Sequence, residues 1–242
     1  MLLQCEMEDR SAAAVPGGAR WLDCATLETL LELNEDALAL IAEQASASPG
    51  GGPLPQVAAV CAGLDAPARR RAAGCLYLLL DAGFAEPERW RAALGVGDGP
   101  PRAYAPFFTV AQAAPLAHSV FTYAWHLARA QAAAARLLLG MSSACLPLIA
   151  RCTLRQIHAL AEQHPQWLTP RWPAQPAVWR ALLAAAAHGD GAALERTRLH
   201  GQALLAAAVR AGRPGSAHPR AASRWSARPA APEAAARHGL QP

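Results

Sequence analysis

Few residues in this chain have the type and spacing to do chemistry. His158 and Glu162 sit four apart, which places them on one helix face as a surface pair rather than an acid/base couple. His164 precedes Pro165 and reads as a loop residue. The six cysteines (5, 24, 61, 75, 145 and 152) include no Cys-x-x-Cys pair, so zinc-ligand spacing is absent. Cys145 and Cys152 are spaced to share a helix face, and the thiols are expected to be small buried apolar groups. Gly95, Gly97 and Asp98 belong to a linker, not to a phosphate loop. No nucleotide loop, nucleophile elbow or metal cluster is visible, so no enzyme, cofactor or metal is expected. Arginine remains. The candidate phosphate contacts are Arg151, Arg155, Arg171 and Arg180, helped by Arg213, Arg220, Arg224 and Arg228 near the C-terminus. Several of the seven tryptophans sit beside arginine: Trp90 between Arg89 and Arg91, Trp172 after Arg171, Trp179 before Arg180. Such neighbours can stack, but core or interface anchoring is the ordinary use of tryptophan.

All 22 basic residues are arginine and none is lysine, a bias expected of a GC-rich genome, so arginine abundance alone says nothing about phosphate binding. Charge position says more. Residues 1–117 hold eight Arg against 14 acids, residues 118–210 nine Arg against Glu162, Asp190 and Glu195, and residues 211–242 five Arg against Glu233. A basic C-terminal half hints at nucleic acid or an acidic protein, and it equally permits the acidic half to dock on it. All eight histidines lie from His118 onward. Arg69-Arg70-Arg71 reads as a solvated helix start.

The elements that must position these groups are helices. Residues 118–139 lack Gly and Pro, and Gly140 ends the run. Ser142 can cap a short helix over 143–151, with Pro147 predicting a kink or a later start. Thr153 can cap the next, in which Leu154, Ile157, Leu160 and Ala161 form one apolar face before Pro165. Residues 167–172 read as extended, and helices follow over 176–187 and 191–210 around Gly189-Asp190-Gly191. Helix, glycine break, short helix and capped helix outline a helix-turn-helix, although a plain helical hairpin fits the same pattern.

At these residues the chain resembles the flagellar transcriptional activator subunit FlhD. The resembling positions are Leu127, Leu139-Gly140-Met141, Ala150, Thr153-Leu154, Gln156-Ile157, Leu160-Ala161-Glu162 and Arg171-Trp172. Weaker similarity continues through Leu194, His200 and Leu204-Leu205, so roughly residues 118 to 208 are covered. The resemblance implies an all-helical domain forming an intertwined homodimer. It also implies promoter DNA, a zinc-containing partner subunit (FlhC) and RNA polymerase as partners. Leu127, Leu139, Leu154, Ile157 and Leu160 are the candidate dimer and core residues, and the apolar faces of 118–139 and 191–210 also predict a dimer.

Upstream, 1–19 reads as a leader, 20–95 as an acidic helical domain and 96–117 as a Gly/Pro linker. Residues 118–210 form the basic FlhD-like domain, and 211–242 an Arg-rich disordered tail. Within the acidic domain, Leu22–Ala45 is expected as two helices meeting near Asn34, followed by helices over 56–63, 66–82 and 86–94. One echo links the halves. Leu30, Leu33, Leu38, Ile41 and Ala42-Glu43-Gln44 match Ile149, Cys152, Ile157, Leu160 and Ala161-Glu162-Gln163 at an offset of 119, which in an Ala/Leu-rich chain reads as coincidence. The fold class expected is all-α, in two helical domains. The start lacks the basic-then-apolar order of a secretion signal and no window is long enough to span a bilayer, so a cytoplasmic protein is expected. The function expected is a bacterial transcriptional regulator resembling FlhD. The alternative is a helical interaction protein, an adaptor or chaperone, that never touches DNA.

Overall fold

The computed structural model describes residues 22–47, 55–97 and 106–211. Ten α-helices lie among them: α1 Cys24–Ala47, α2 Pro55–Ala62, α3 Ala66–Ala73, α4 Pro87–Ala93, α5 Val110–Ala130, α6 Ala132–Leu139, α7 Cys145–Ala150, α8 Leu154–Gln163, α9 Pro176–His188 and α10 Gly191–Ala211. Two short strands, β1 Leu80–Asp81 and β2 Thr169–Pro170, pair antiparallel, Leu80 opposite Pro170 and Asp81 opposite Thr169. No helix among the described residues is long and apolar enough to cross a membrane. The expected leader, the tail expected to be disordered beyond residue 211, and the candidate contacts Arg213, Arg220, Arg224 and Arg228 fall outside the described residues.

The described residues are mostly helical, as expected, with several corrections. α1 does not break at Asn34. That side chain is fully buried, donates to the carbonyls of Ala73 (2.9 Å) and Tyr77 (3.0 Å), and accepts from the Leu79 amide (2.8 Å). Asn34 therefore supplies the partners that the irregular stretch after α3 lacks, which is why α3 ends at Ala73 instead of running to 82. Helix α5 starts at Val110, capped by Thr109, so the expected linker is partly helical. The expected 118–139 helix is divided at Gln131. At Pro147 the later start holds rather than the kink: α7 begins at Cys145, and Pro147 is its third residue, where its missing N–H is one that the helix would leave free.

Around α8 the structure follows the sequence. Gly140 ends α6 in the left-handed conformation (φ 67°), and a Cβ there would lie 2.4 Å from the Leu205 side chain of α10, so both backbone and space require glycine. Thr153 and Gln156 form a reciprocal capping box at the start of α8. Leu127, Leu139, Ile157 and Leu160 are buried, as expected of core residues. Leu154 is not: it is the first residue of α8 and stands 42% exposed, because the apolar face begins one turn later.

The split expected near 96–117 does not separate two cores. Buried residues from Leu30 to Trp90 and from Phe108 to Leu205 form one cluster. Polar ties cross it: Tyr123 of α5 donates to the Thr26 carbonyl (3.0 Å), Arg71 Nε to the Ala186 carbonyl (2.8 Å), and Arg198 Nη2 to the Arg71 carbonyl (2.7 Å). Arg71 is thus a half-buried connector rather than a solvated helix start. The apolar face of α5 (Leu116, Val120, Phe121, Ala124 and Leu127 among others) is covered within the chain. Leu194 and Leu205 of α10 are covered likewise, whereas Leu137 of α6 and Leu199 of α10 stand exposed.

Candidate nucleic-acid interface

Of the four arginines expected to contact phosphate, Arg151, Arg155 and Arg180 are exposed and Arg171 is not. Arg171 follows β2 and points inward. Its Nε donates to the Leu78 carbonyl (2.5 Å) and Nη2 to the Leu139 carbonyl (2.6 Å), while Nη1 lies 4.0 Å from the buried Asp81 carboxylate. Its own amide donates to the Leu79 carbonyl (3.0 Å). Burial lowers its pKa, and Asp81 opposes that shift. One guanidinium therefore fastens the end of α6, the strand ladder and the segment before it. A group held this way cannot reach a phosphate, and the phosphate role is withdrawn for Arg171.

The α7–α8 junction is tied to α5 by a tryptophan that the sequence did not single out. Trp125 of α5 is half-buried, and its indole donates to the Cys152 carbonyl (2.7 Å). Cys152 lies in the turn between Arg151 and Thr153. Arg129, one turn further along α5, sits over the Trp125 ring at 4.8 Å. Arg129 on α5, Arg151 at the end of α7 and Arg155 in the first turn of α8 are all exposed. His158 of α8 meets His118 of α5 edge to face at 5.5 Å. Arg180 is exposed on α9, a different element. Arginine positions alone do not show that Arg129 packs on Trp125. The i, i+4 spacing of Trp125 and Arg129 on one helix face is the signal that could have found it.

A scan against protein-family models, a search of curated proteins and a search of solved structures each returned no match for this chain. The residues that carry the likeness to FlhD are, on this structure, chiefly packing and capping residues. Leu127, Leu139, Met141, Ile157, Leu160, Ala161, Arg171 and Trp172 are buried, and Thr153 and Gln156 are the capping box. They describe how a helix pair is built, not what its surface touches.

Other groups offer little reactivity. Cys61, Cys75, Cys145 and Cys152 are free and buried. Desolvation pushes the Cys61 thiol up to about 12 and those of Cys75 and Cys145 up to about 11, which keeps them protonated and non-nucleophilic. Among the described residues no three His, Cys, Asp or Glu side chains gather to hold a metal ion. A shallow groove of about 620 Å³ runs between α9 and α10, with a floor of Ala177, Ala181, Ala184 and Ala185 and a rim that includes Arg196 and His200.

Proposed function

We propose that this chain is a bacterial transcriptional regulator of FlhD-like type that engages promoter DNA through the seam of α5 and α8, together with a partner subunit. The observation that supports the reading is that Trp125 carries Arg129 over its ring while its indole holds the Cys152 carbonyl, in the turn that follows the exposed Arg151. Arg129, Arg151 and Arg155 are exposed cations suited to a phosphate backbone, and the sequence from 118 to 161 holds no carboxylate; the exposed Asp23, which accepts from Gln131 (3.3 Å), stands by the end of α5. These cations offer electrostatic attachment; sequence readout would need further contacts, which fits a protein that shares its site with a second subunit.

The groove between α9 and α10 favours a second reading, a helical interaction protein that does not touch DNA. Salt dependence separates the two. Binding of the full chain to a mixed duplex pool should weaken steeply with salt, and the double variant Arg151→Ala/Arg155→Ala should lower the log–log slope by about two. Unchanged affinity and slope in that variant would remove both arginines from the interface. No salt-dependent binding by the wild-type chain, with a flat chromatin immunoprecipitation profile, would leave the adaptor reading.

A further inference from the structure

The segments that meet at the strand ladder are two versions of one unit. Aligned at an offset of 89, residues 79–94 and 168–183 share seven identities, including Pro87/Pro176, Trp90/Trp179, Arg91/Arg180 and Ala92/Ala181. The turn backbones agree in the same alignment. Gly83 (φ 72°) corresponds to Trp172 (φ 48°), the one non-glycine residue with positive φ among the described residues. The Glu86 amide bonds the Gly83 carbonyl (2.9 Å), as Gln175 does that of Trp172 (2.8 Å). The Arg89 amide bonds the Glu86 carbonyl, as Val178 does that of Gln175, both at 3.1 Å. The helices then open with proline and bury a tryptophan three residues on. Trp90 donates its indole N–H to the Gly83 carbonyl (3.0 Å) and Trp179 to that of Arg171 (2.6 Å), in each case back into the preceding turn.

The pairing of the strands supplies the symmetry. Position 80 corresponds to 169 and 81 to 170, and the ladder joins 80 to 170 and 81 to 169. Each residue faces the counterpart of its neighbour, which is the reciprocity of an isologous contact between two identical subunits. Element order agrees as well. The α1 positions Leu30, Leu33, Leu38 and Ile41 and their counterparts Ile149, Cys152, Ile157 and Leu160 are all buried. In both halves this helical stretch leads to a strand and then to the proline-headed helix, with α2 and α3 inserted in the first half only. The offset of 119 found in sequence and that of 89 found here differ through this insertion.

We propose that the chain is a single-chain pseudo-dimer: two duplicated helix–strand–turn–helix units closed on each other through β1 and β2, so that the surface a second copy would use is filled by the chain's own other half. This goes beyond the DNA reading and is tested on the free protein. Light scattering of the full wild-type chain at tens of micromolar should give the mass of one chain, 25.4 kDa. Under mild oxidation the double variant Leu80→Cys/Pro170→Cys should close its new disulfide within one chain, and a mixture of the two single variants should give no 80–170 product joining two chains. A two-chain particle cross-linked between 80 and 170 would overturn the proposal. Should the cysteine variants fail to fold, the wild-type mass decides: one chain upholds the proposal and two chains overturn it.

Discussion

The two turns that follow β1 and β2 have the same backbone but opposite solutions to filling it. In the first, the left-handed position is Gly83, and the side chain of Arg89 lies over it: a Cβ there would stand 2.6 Å from Arg89 Nη1. Arg89 also makes a largely buried ion pair with Glu86 (3.2 Å) and sits over the Trp167 ring at 5.4 Å. In the second, the residue matching Arg89 is Val178, which leaves room for a side chain at the left-handed position. Trp172 takes it, packing edge to face on Tyr77 at 5.5 Å. The cation moves too: Ala82 in the first turn is matched by Arg171 in the second, whose guanidinium staples the ladder. A shared backbone thus tolerates different side chains only in compensating sets, Gly with Arg six residues on, or Trp with Val.

The largest expected effect is the loss of Arg171, because this one side chain of the second turn ties together segments that the first turn does not reach. Arg171→Met leaves the Leu78 and Leu139 carbonyls without this donor and Asp81 without its cation, and should cost about 3–5 kcal/mol. Urea unfolding followed by circular dichroism measures it. A loss below about 1 kcal/mol would show that the staple is dispensable and that the ladder holds the halves together by itself.

Compensation is sharpened by a double-mutant cycle at the first turn. Gly83→Ala should destabilise by about 1–3 kcal/mol, from left-handed strain and the collision with Arg89. In the Arg89→Val background, which imitates the second turn, the collision disappears and only the strain remains. The coupling between the two sites should therefore be about 1 kcal/mol or more and favourable. Additivity would mean that Arg89 simply swings aside.

Much of this frame is legible in the sequence where the signal is local. The cap at Thr153, the stop at Gly140 and the Gly189–Gly191 turn each depend on residues within one helical turn of each other, and all are found as expected, with Gln156 completing the cap as a box. Asn34, Arg171 and Trp125 mislead or escape notice for one common reason. Each spends its polar group on a carbonyl 27 to 93 residues away, so its partner is invisible in any local window. Arg171 shows the cost most clearly: beside Trp172 in sequence it has the look of a surface cation, and only the ladder makes it a buried one. The helices after the two turns carry a legible signal, the shared Pro-x-x-Trp-Arg-Ala, but the turns themselves escaped because Gly83 and Trp172 have nothing in common as residues; they share the sign of φ.

The matched tryptophans allow a smaller comparison. Trp90→Phe and Trp179→Phe each remove one indole N–H from a buried turn carbonyl and should cost about 1–2 kcal/mol apiece, with similar values if the turns are equivalent. Thermal or urea unfolding of the two variants side by side gives both numbers. A threefold disparity would show that their surroundings, not the shared turn, set the energy.

The smallest effect concerns pH and again singles out the first turn. His164 stacks on Trp167 at 4.5 Å, on the ring that Arg89 also covers, and its pKa is lowered first by desolvation and then by the Arg89 charge. A histidine depressed in the folded state binds its proton more readily when unfolded. Its share of stability is therefore complete above the unfolded value, near 6.5, and declines as pH falls from there through the folded value. Arg89→Val removes the second cause and not the first, so the decline in its unfolding midpoint across pH 7 to 5 should be shallower than that of the wild type, and His164→Gln should flatten it further. An equal slope in all three proteins would place the acid sensitivity elsewhere and would leave Arg89 a purely packing residue of the first turn, as Val178 is of the second.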